Sequence, residues 1–222
     1  MIDREGHQPP GSVSDSGPDN LMIFVRRSHE LLGMGYATLT PSVFSDTAEP
    51  VITYRLVQAV DNILRDNTEL WMIPFSIQSD PLIYNNPNRP EDWPNRLDIR
   101  IEFSKEGGRS YLWFEAKRLE PRNHNVWVYL GSEGLLRFVE GRCAKDEAIG
   151  GMLGYVQKGV PEDWAKKIGE AMSNDPTKVR LRKDRGWRAE SQTDGIPFGY
   201  CSDHDRPSGK PIRIYHSLLI FN

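Results

Sequence analysis

The sharpest pattern of apolar and polar positions lies in residues 96–119, RLDIRIEFSKEGGRSYLWFEAKRL. Leu97, Ile99, Ile101 and Phe103 alternate with Arg96, Asp98, Arg100 and Glu102. Further on, Tyr111, Trp113, Glu115 and Lys117 alternate with Leu112, Phe114 and Ala116. A period of two predicts a strand with one face in a core. Gly107 and Gly108 sit between the two runs and take positive φ cheaply, so the pattern predicts a hairpin. Opposed residues in an antiparallel hairpin share a constant index sum. A turn centred near Gly107 therefore sets Asp98 opposite residues 115–117, to within a residue, with directly opposed Cβ atoms about 5 Å apart.

Elsewhere the period is helical. Leu21, Phe24, Val25, His29 and Leu32 predict a helix over residues 21–32 that ends near Gly33. Residues 46–66 predict a clearer one. Oxygens at residues 45–47 offer a cap, Pro50 suits the first turn, and Ile52, Leu56, Ala59, Val60 and Ile63 share a face. Residues 69–83 read as a first core strand. Residues 84–94, with three prolines and three asparagines, read as a loop that runs into Asp98 and brings Arg89 and Trp93 near it. Residues 120–142 look irregular. Ala144, Ala148, Ile149, Met152, Leu153, Tyr155 and Val156 predict a helix over 143–157, in which Gly150 and Gly151 imply a close backbone neighbour. Another helix is expected over 161–173, with Trp164, Ile168, Ala171 and Met172 inward. Residues 189–210 are polar and rich in turn formers. The apolar run in 211–222 fits a strand buried on both faces. Together these predict an α/β fold, a mixed central sheet flanked by helix 46–66 on one side and helix 143–157 on the other. Residues 1–20, rich in Gly, Pro, Ser and Asp, read as a disordered leader, and 21–222 as a single domain.

Composition narrows the class. A chain of 222 residues with 38% hydrophobic content, six Trp, eight Tyr and eight Phe can fill one core. It contains no apolar run near the ~18 residues needed to span a bilayer, so no membrane role is expected. The first twenty residues lack the apolar stretch of a secretory signal, and two cysteines build no disulfide framework, so a cytoplasmic protein is expected. A net charge of −3 argues against a protein that coats DNA. It leaves room for an enzyme with a local basic track.

Candidate chemistry centres on the hairpin. Two carboxylates opposed at that spacing repel unless a cation lies between them. Mg²⁺ is the usual hard ion for carboxylate oxygens and a phosphate, and Lys117 would stand beside it. Asp98 followed by Glu115-Ala116-Lys117, the latter inside an aromatic, apolar strand, resembles the PD-(D/E)XK nuclease superfamily of restriction-endonuclease-like folds. Leu97 stands where that family usually has proline. The resemblance covers roughly residues 49–157. It implies a metal-dependent nuclease in which Asp98 and Glu115 hold Mg²⁺, or Mn²⁺, with help from the carbonyl of Ala116. It also implies that Lys117 orients the attacking water, that DNA is the substrate in preference to RNA, and that the setting is bacterial antiviral defence. Glu49 admits two readings. One is a first-turn acid favoured by the helix dipole; the other, from the resemblance, is a glutamate that completes the metal shell.

Residues 178–188, KVRLRKDRGWR, carry six basic residues in eleven. Lys178, Arg180, Arg182, Lys183, Arg185 and Arg188, with Arg118, form a nucleic-acid track on one reading and an ordinary solvated strand face on the other. Arg122 and Arg137 are further phosphate-facing candidates, and Gln157 a candidate to reach the site. His29 and His216 are expected as packed or hydrogen-bonded residues, and Cys201 with His204 lacks partners for a zinc tetrahedron. The short chain calls for a homo-oligomer or a larger complex to supply targeting. Two rivals remain: an inactive nuclease-like subunit that binds nucleic acid or protein, and a structural sheet protein whose Glu115 and Lys117 lie in open solvent.

Overall fold

The structure is a computed structural model. It describes residues 18–40, 44–66, 69–79, 82–83, 95–106, 108–122, 124–207 and 209–222. In chain order the elements are α1 (Pro18–Ala37), α2 (Glu49–Asp66), β1 (Phe75–Ser79), β2 (Leu82–Ile83), β3 (Asn95–Arg96), β4 (Ile99–Lys105), β5 (Gly108–Leu119), α3 (Val126–Leu130), α4 (Leu136–Val139), β6 (Ile149–Val156), α5 (Pro161–Asn174), β7 (Arg188–Ala189), β8 (Gly199–His204) and β9 (Ile212–Ile220). Seven strands form one mixed sheet in the order β1-β4-β5-β6-β9-β8-β7, and β2 pairs with β3 apart from it. The centre, β5-β6-β9, is parallel, and both wings are antiparallel.

The sheet separates two apolar layers. On one side α1 and α2 cover Ile99, Ile101, Leu112, Phe114, Leu153 and Tyr215. On the other, α3, α4 and α5 cover Trp113, Leu119, Met152, Val156, Ile214 and Leu218. Alternation along β5 therefore feeds both layers. Parallel neighbours need a crossover, and the residues between β5 and β6 supply it with α3 and α4. In α2 the residues Ile52, Leu56 and Val60 are fully buried, as their spacing requires. A fully buried side chain of this size contributes about 1.5–3 kcal/mol.

Several expectations need correction. The predicted helix 143–157 is strand β6, preceded by turns. Because β6 is buried on both faces, its apolar run carries no alternation to reveal a strand. Its glycines are matched to neighbouring strands and helices: a Cβ on Gly151 would lie 2.1 Å from Phe114, and one on Gly150 2.9 Å from Phe138. The layer assigned to that helix is filled by α3, α4 and α5 instead. Strand β8 lies in a stretch expected to hold only turns. Helix α1 begins at Pro18, inside the expected leader, and runs on through Gly33, where its backbone meets Gly195. Residues 1–17, the loop 84–94 with Arg89 and Trp93, and Gly107 lie outside the described residues. Leu97 joins the layer opposite Ile99, because the chain bends at Asp98 between β3 and β4. The C-terminal strand is β9, buried on both faces as expected.

Candidate functional site

Strand β5 outlasts β4. Ile99, the first residue of β4, pairs with Phe114, so the hairpin's index sum is 213. Continuing it sets Asp98 abreast of Glu115, as the sequence predicted. At the bend the Asp98 carboxylate turns back and accepts the Ala116 N–H at 2.7 Å. Glu49, the first residue of α2, approaches from the other layer. Its Oε1 accepts the Lys117 ammonium at 2.9 Å and its Oε2 accepts the Arg118 N–H at 3.0 Å. Lys117 Nζ also lies 2.8 Å from Glu115 Oε1, 2.7 Å from the Ala116 carbonyl oxygen and 4.0 Å from Asp98 Oδ2. Arg137, on α4, places Nη1 3.2 Å from both oxygens of Glu115.

Glu115 is only 1% exposed, which removes the reading of a solvated edge strand. Burial first, and next the charge of Asp98, push its carboxyl up to about 7 against the pull of Lys117 and Arg137. Burial also raises Asp98 above the ordinary carboxylate range. At Lys117 burial works downward, but Glu115, Glu49 and Asp98 outweigh it and hold the ammonium above its usual value. Among the described residues no three His, Cys, Asp or Glu side chains are arranged to hold a metal ion. The acids of this site are turned onto Lys117 instead.

Gln157, at the end of β6, does not touch these acids. Its amide donates to the carbonyls of Phe44 and Thr47, at 2.6 and 2.8 Å, and so fixes the chain that enters α2 just ahead of Glu49. Arg118 shares that task through Thr47 O at 3.3 Å and lies near Glu120, so its guanidinium is engaged within the fold. Arg137 also hydrogen-bonds the buried Cys143 thiol, whose pKa burial raises. The sequence offered Arg137 as a phosphate contact only. Its pairing with Glu115 left no signal, because it depends on how an irregular stretch crosses the sheet.

The basic segment lies elsewhere. Residue 188 belongs to β7, four strand spacings from β5, or about 19 Å across the sheet. Arg188 pairs with Asp203 at 3.0 Å, Arg185 with Asp184 at 3.7 Å, and Arg182 lies near Asp184 and Asp205. Lys178 sits 3.6 Å over the Trp127 ring. Arg180 and Lys183 are exposed. Acidic neighbours thus offset half of the expected track. Cys201 donates to Glu190, while His204 belongs to a buried chain with Ser202 and His216. His29 packs edge-on against Phe114 and Tyr215.

No family model, no curated protein and no solved structure matches the chain. No helix among the described residues is long and apolar enough to cross a membrane.

Proposed function

We propose that the chain is a metal-dependent phosphodiester hydrolase of the PD-(D/E)XK, restriction-endonuclease-like kind, acting on DNA in preference to RNA. One observation carries the reading. Asp98, Glu115, Lys117 and Glu49, from a bend, a strand and a helix, meet at the end of β5. Three carboxylates there face two cations, Lys117 and Arg137; burial above all raises the carboxyls of Asp98 and Glu115, and at Glu115 the charge of Asp98 adds to it. The hard oxygens of Asp98 and Glu115, with the Ala116 carbonyl and Glu49, are the donor types Mg²⁺ or Mn²⁺ takes, and they would hold it only by turning from the Lys117, Arg137 and backbone N–H partners that engage them here. When bound, such an ion supplies positive charge against the phosphoryl oxygens and eases ionisation of the attacking water.

The chain's own residues do the rest. Lys117 orients that water and stabilises charge developing on the phosphate. Arg137 fixes the Glu115 carboxylate, and Glu49 steers the Lys117 amine. Exposed Lys183 and Arg180 hold phosphates away from the centre. An antiviral setting, and targeting by an oligomer or a larger complex, complete the reading.

The test is cleavage of supercoiled DNA, linear DNA and RNA, with and without Mg²⁺, by the wild type and Lys117→Ala. Mg²⁺-dependent cleavage lost in the variant is expected. Equal, negligible cleavage by both overturns the hydrolase. It would favour the second reading, a nuclease-like subunit that only binds, for which the engagement of the Glu115 and Glu49 oxygens by Lys117, Arg137 and the Arg118 N–H speaks.

A further inference from the structure

The crossover from β5 to β6 brings Arg137 to Glu115, yet beyond the four residues of α4 it has no regular structure before β6 begins. It turns sharply twice, at Gly141 with φ 70° and at Ala144 with φ 48°. A residue with a Cβ rarely adopts the second conformation unless its surroundings impose it. Arg206, two residues beyond β8, imposes it. Its Nε donates to Phe138 O at 3.0 Å and its Nη2 to Ala144 O at 3.0 Å. Its Nη1 donates to Lys145 O at 2.7 Å and to Glu147 O at 2.9 Å. At 8% exposure Arg206 is no phosphate contact. The four carbonyls replace the water its charge has lost. A planar fork reaches carbonyls on several sides at once, whereas a lysine ammonium offers a single point. Strand β8 pairs with β9 along its length, so the fork is carried on the sheet.

The gripped carbonyls bracket the residues that face the site. Phe138 directly follows Arg137, and Ala144 directly follows Cys143. Between them the Cys143 N–H bonds back to Arg137 O at 3.0 Å. The Cys143 thiol is fully buried and hydrogen-bonded to the Arg137 guanidinium. That guanidinium therefore has two supports, the sulfur and the Glu115 carboxylate, whose oxygens both lie 3.2 Å from Nη1. Packing of the Phe138 ring on Gly150 fixes where α4 lies. It does not fix where a long side chain on α4 ends. We propose that Arg206 is a positioning residue of this site: by clamping residues 138–147 it sets the Cys143 sulfur, and the sulfur sets the Arg137 guanidinium against Glu115. Its effect on cleavage rests on the hydrolase reading. The hold on Arg137 does not.

The test compares the full chain with Arg206→Lys, which keeps the charge and loses the fork. In protein carrying isotope-labelled arginine, a guanidinium held at both ends turns slowly, and its Nη protons resolve separately by NMR. The Arg137 signals, identified by their absence from Arg137→Ala, should be resolved in the wild type and merge in Arg206→Lys. Cleavage of supercoiled DNA with Mg²⁺ should fall at least about tenfold in Arg206→Lys at unchanged DNA affinity. It should fall no further when Arg206→Lys is added to Arg137→Ala, because both substitutions break one chain of contacts. A residue that only stabilised the fold would leave the Arg137 signals resolved. Signals that stay resolved in the variant, signals already merged in the wild type, or two substitutions whose effects on cleavage multiply overturn the proposal. Should Arg206→Lys not fold, Cys143→Ala removes the sulfur between the two arginines and should merge the same signals; their persistence overturns it equally. A wild type that cuts no DNA sinks the hydrolase alone, and the Arg137 signals then decide this proposal.

Discussion

Two clusters of polar side chains are buried in this sheet, and they solve burial in opposite ways. The one at the end of β5 is charged and unbalanced: Glu49, Asp98 and Glu115 against Lys117 and Arg137. The one between β8, β9 and α3 is neutral and closed. His204 Nδ1 donates to the Val179 carbonyl at 2.7 Å, so its Nε2 accepts from Ser202 Oγ. Having spent its one proton, Ser202 accepts from His216 Nε2 at 2.8 Å, and His216 Nδ1 then accepts from the Tyr129 hydroxyl at 2.9 Å. One carbonyl thus fixes every proton in the chain. Burial lowers His204 to about 4 and holds His216 well below its ordinary value. A satisfied neutral network adds rigidity and leaves nothing to react. The charged cluster instead keeps carboxyls that burial raises, held against Lys117 and Arg137. Of the two, only the charged cluster offers the perturbed carboxyls on which the proposed hydrolase depends.

The largest test of that contrast is Lys117→Ala. Cleavage should fall on the order of 10²–10³-fold in the nicking assay. Removing one partner of a buried ion pair should also cost about 3–5 kcal/mol of stability, measured in urea. Added Mg²⁺ should raise the melting temperature of the variant more than that of the wild type, since the acids have lost their amine. An equal rise in both would count against a cation site there.

Acid should act first on the neutral network and on His29. In the unfolded chain these imidazoles take up protons near 6.5, but folded His29 and His204 do so only near 4. The unfolded state therefore binds more protons between those values, and stability falls as pH drops through that window. It is fully present above 6.5. Each imidazole should remove up to about 1.4 kcal/mol per pH unit. Glu115, raised to about 7, works in the opposite sense over the same window, so the imidazoles are followed individually by NMR, and protonation of His29 or His204 near 6.5 in the folded chain would contradict this account.

Tyr129→Phe should be milder. It strips the donor from His216 Nδ1 and leaves a buried acceptor unmet, a cost of about 1–3 kcal/mol, without changing cleavage. The smallest effect belongs to the half-exposed arginines near β7. Arg182→Ala should change stability by less than about 1 kcal/mol, because a partly solvated ion pair contributes little. Weakened DNA binding in a filter assay after Lys183→Ala, with none after Arg182→Ala, would show which residues of the basic segment meet phosphate.

Legibility in the sequence followed burial. The β4–β5 hairpin was readable because polar residues alternate along β4 and Glu115 and Lys117 keep that alternation in β5, although β5 is buried on both faces, and with it came the pairing of Asp98 with Glu115. The apolar stripe of α2 was readable for the same reason. Strand β6 was not, since both its faces are buried and its glycines, which weaken a helix, here leave room for Phe114 and Phe138. The two layers around Leu97 and Ile99 were misjudged because the bend at Asp98 breaks a parity that the letters keep. His216 was expected as a hydrogen-bonded core residue and is one, but its partners Tyr129 and Ser202 and the pairing of Arg137 with Glu115 were not legible, because each joins residues more than ten positions apart.

By itself, then, the sequence determined local periodicity: the hairpin and its register, the helix faces, and the placing of an aspartate across from a glutamate and a lysine. Only the tertiary structure decided which side of the sheet each layer took, that Arg137 joins Glu115, that Glu49 meets Lys117, and that the basic segment lies strands away from both. The reason is physical. Spacing of side chains along one element is set by local backbone geometry, whereas contacts between elements depend on how the whole core closes.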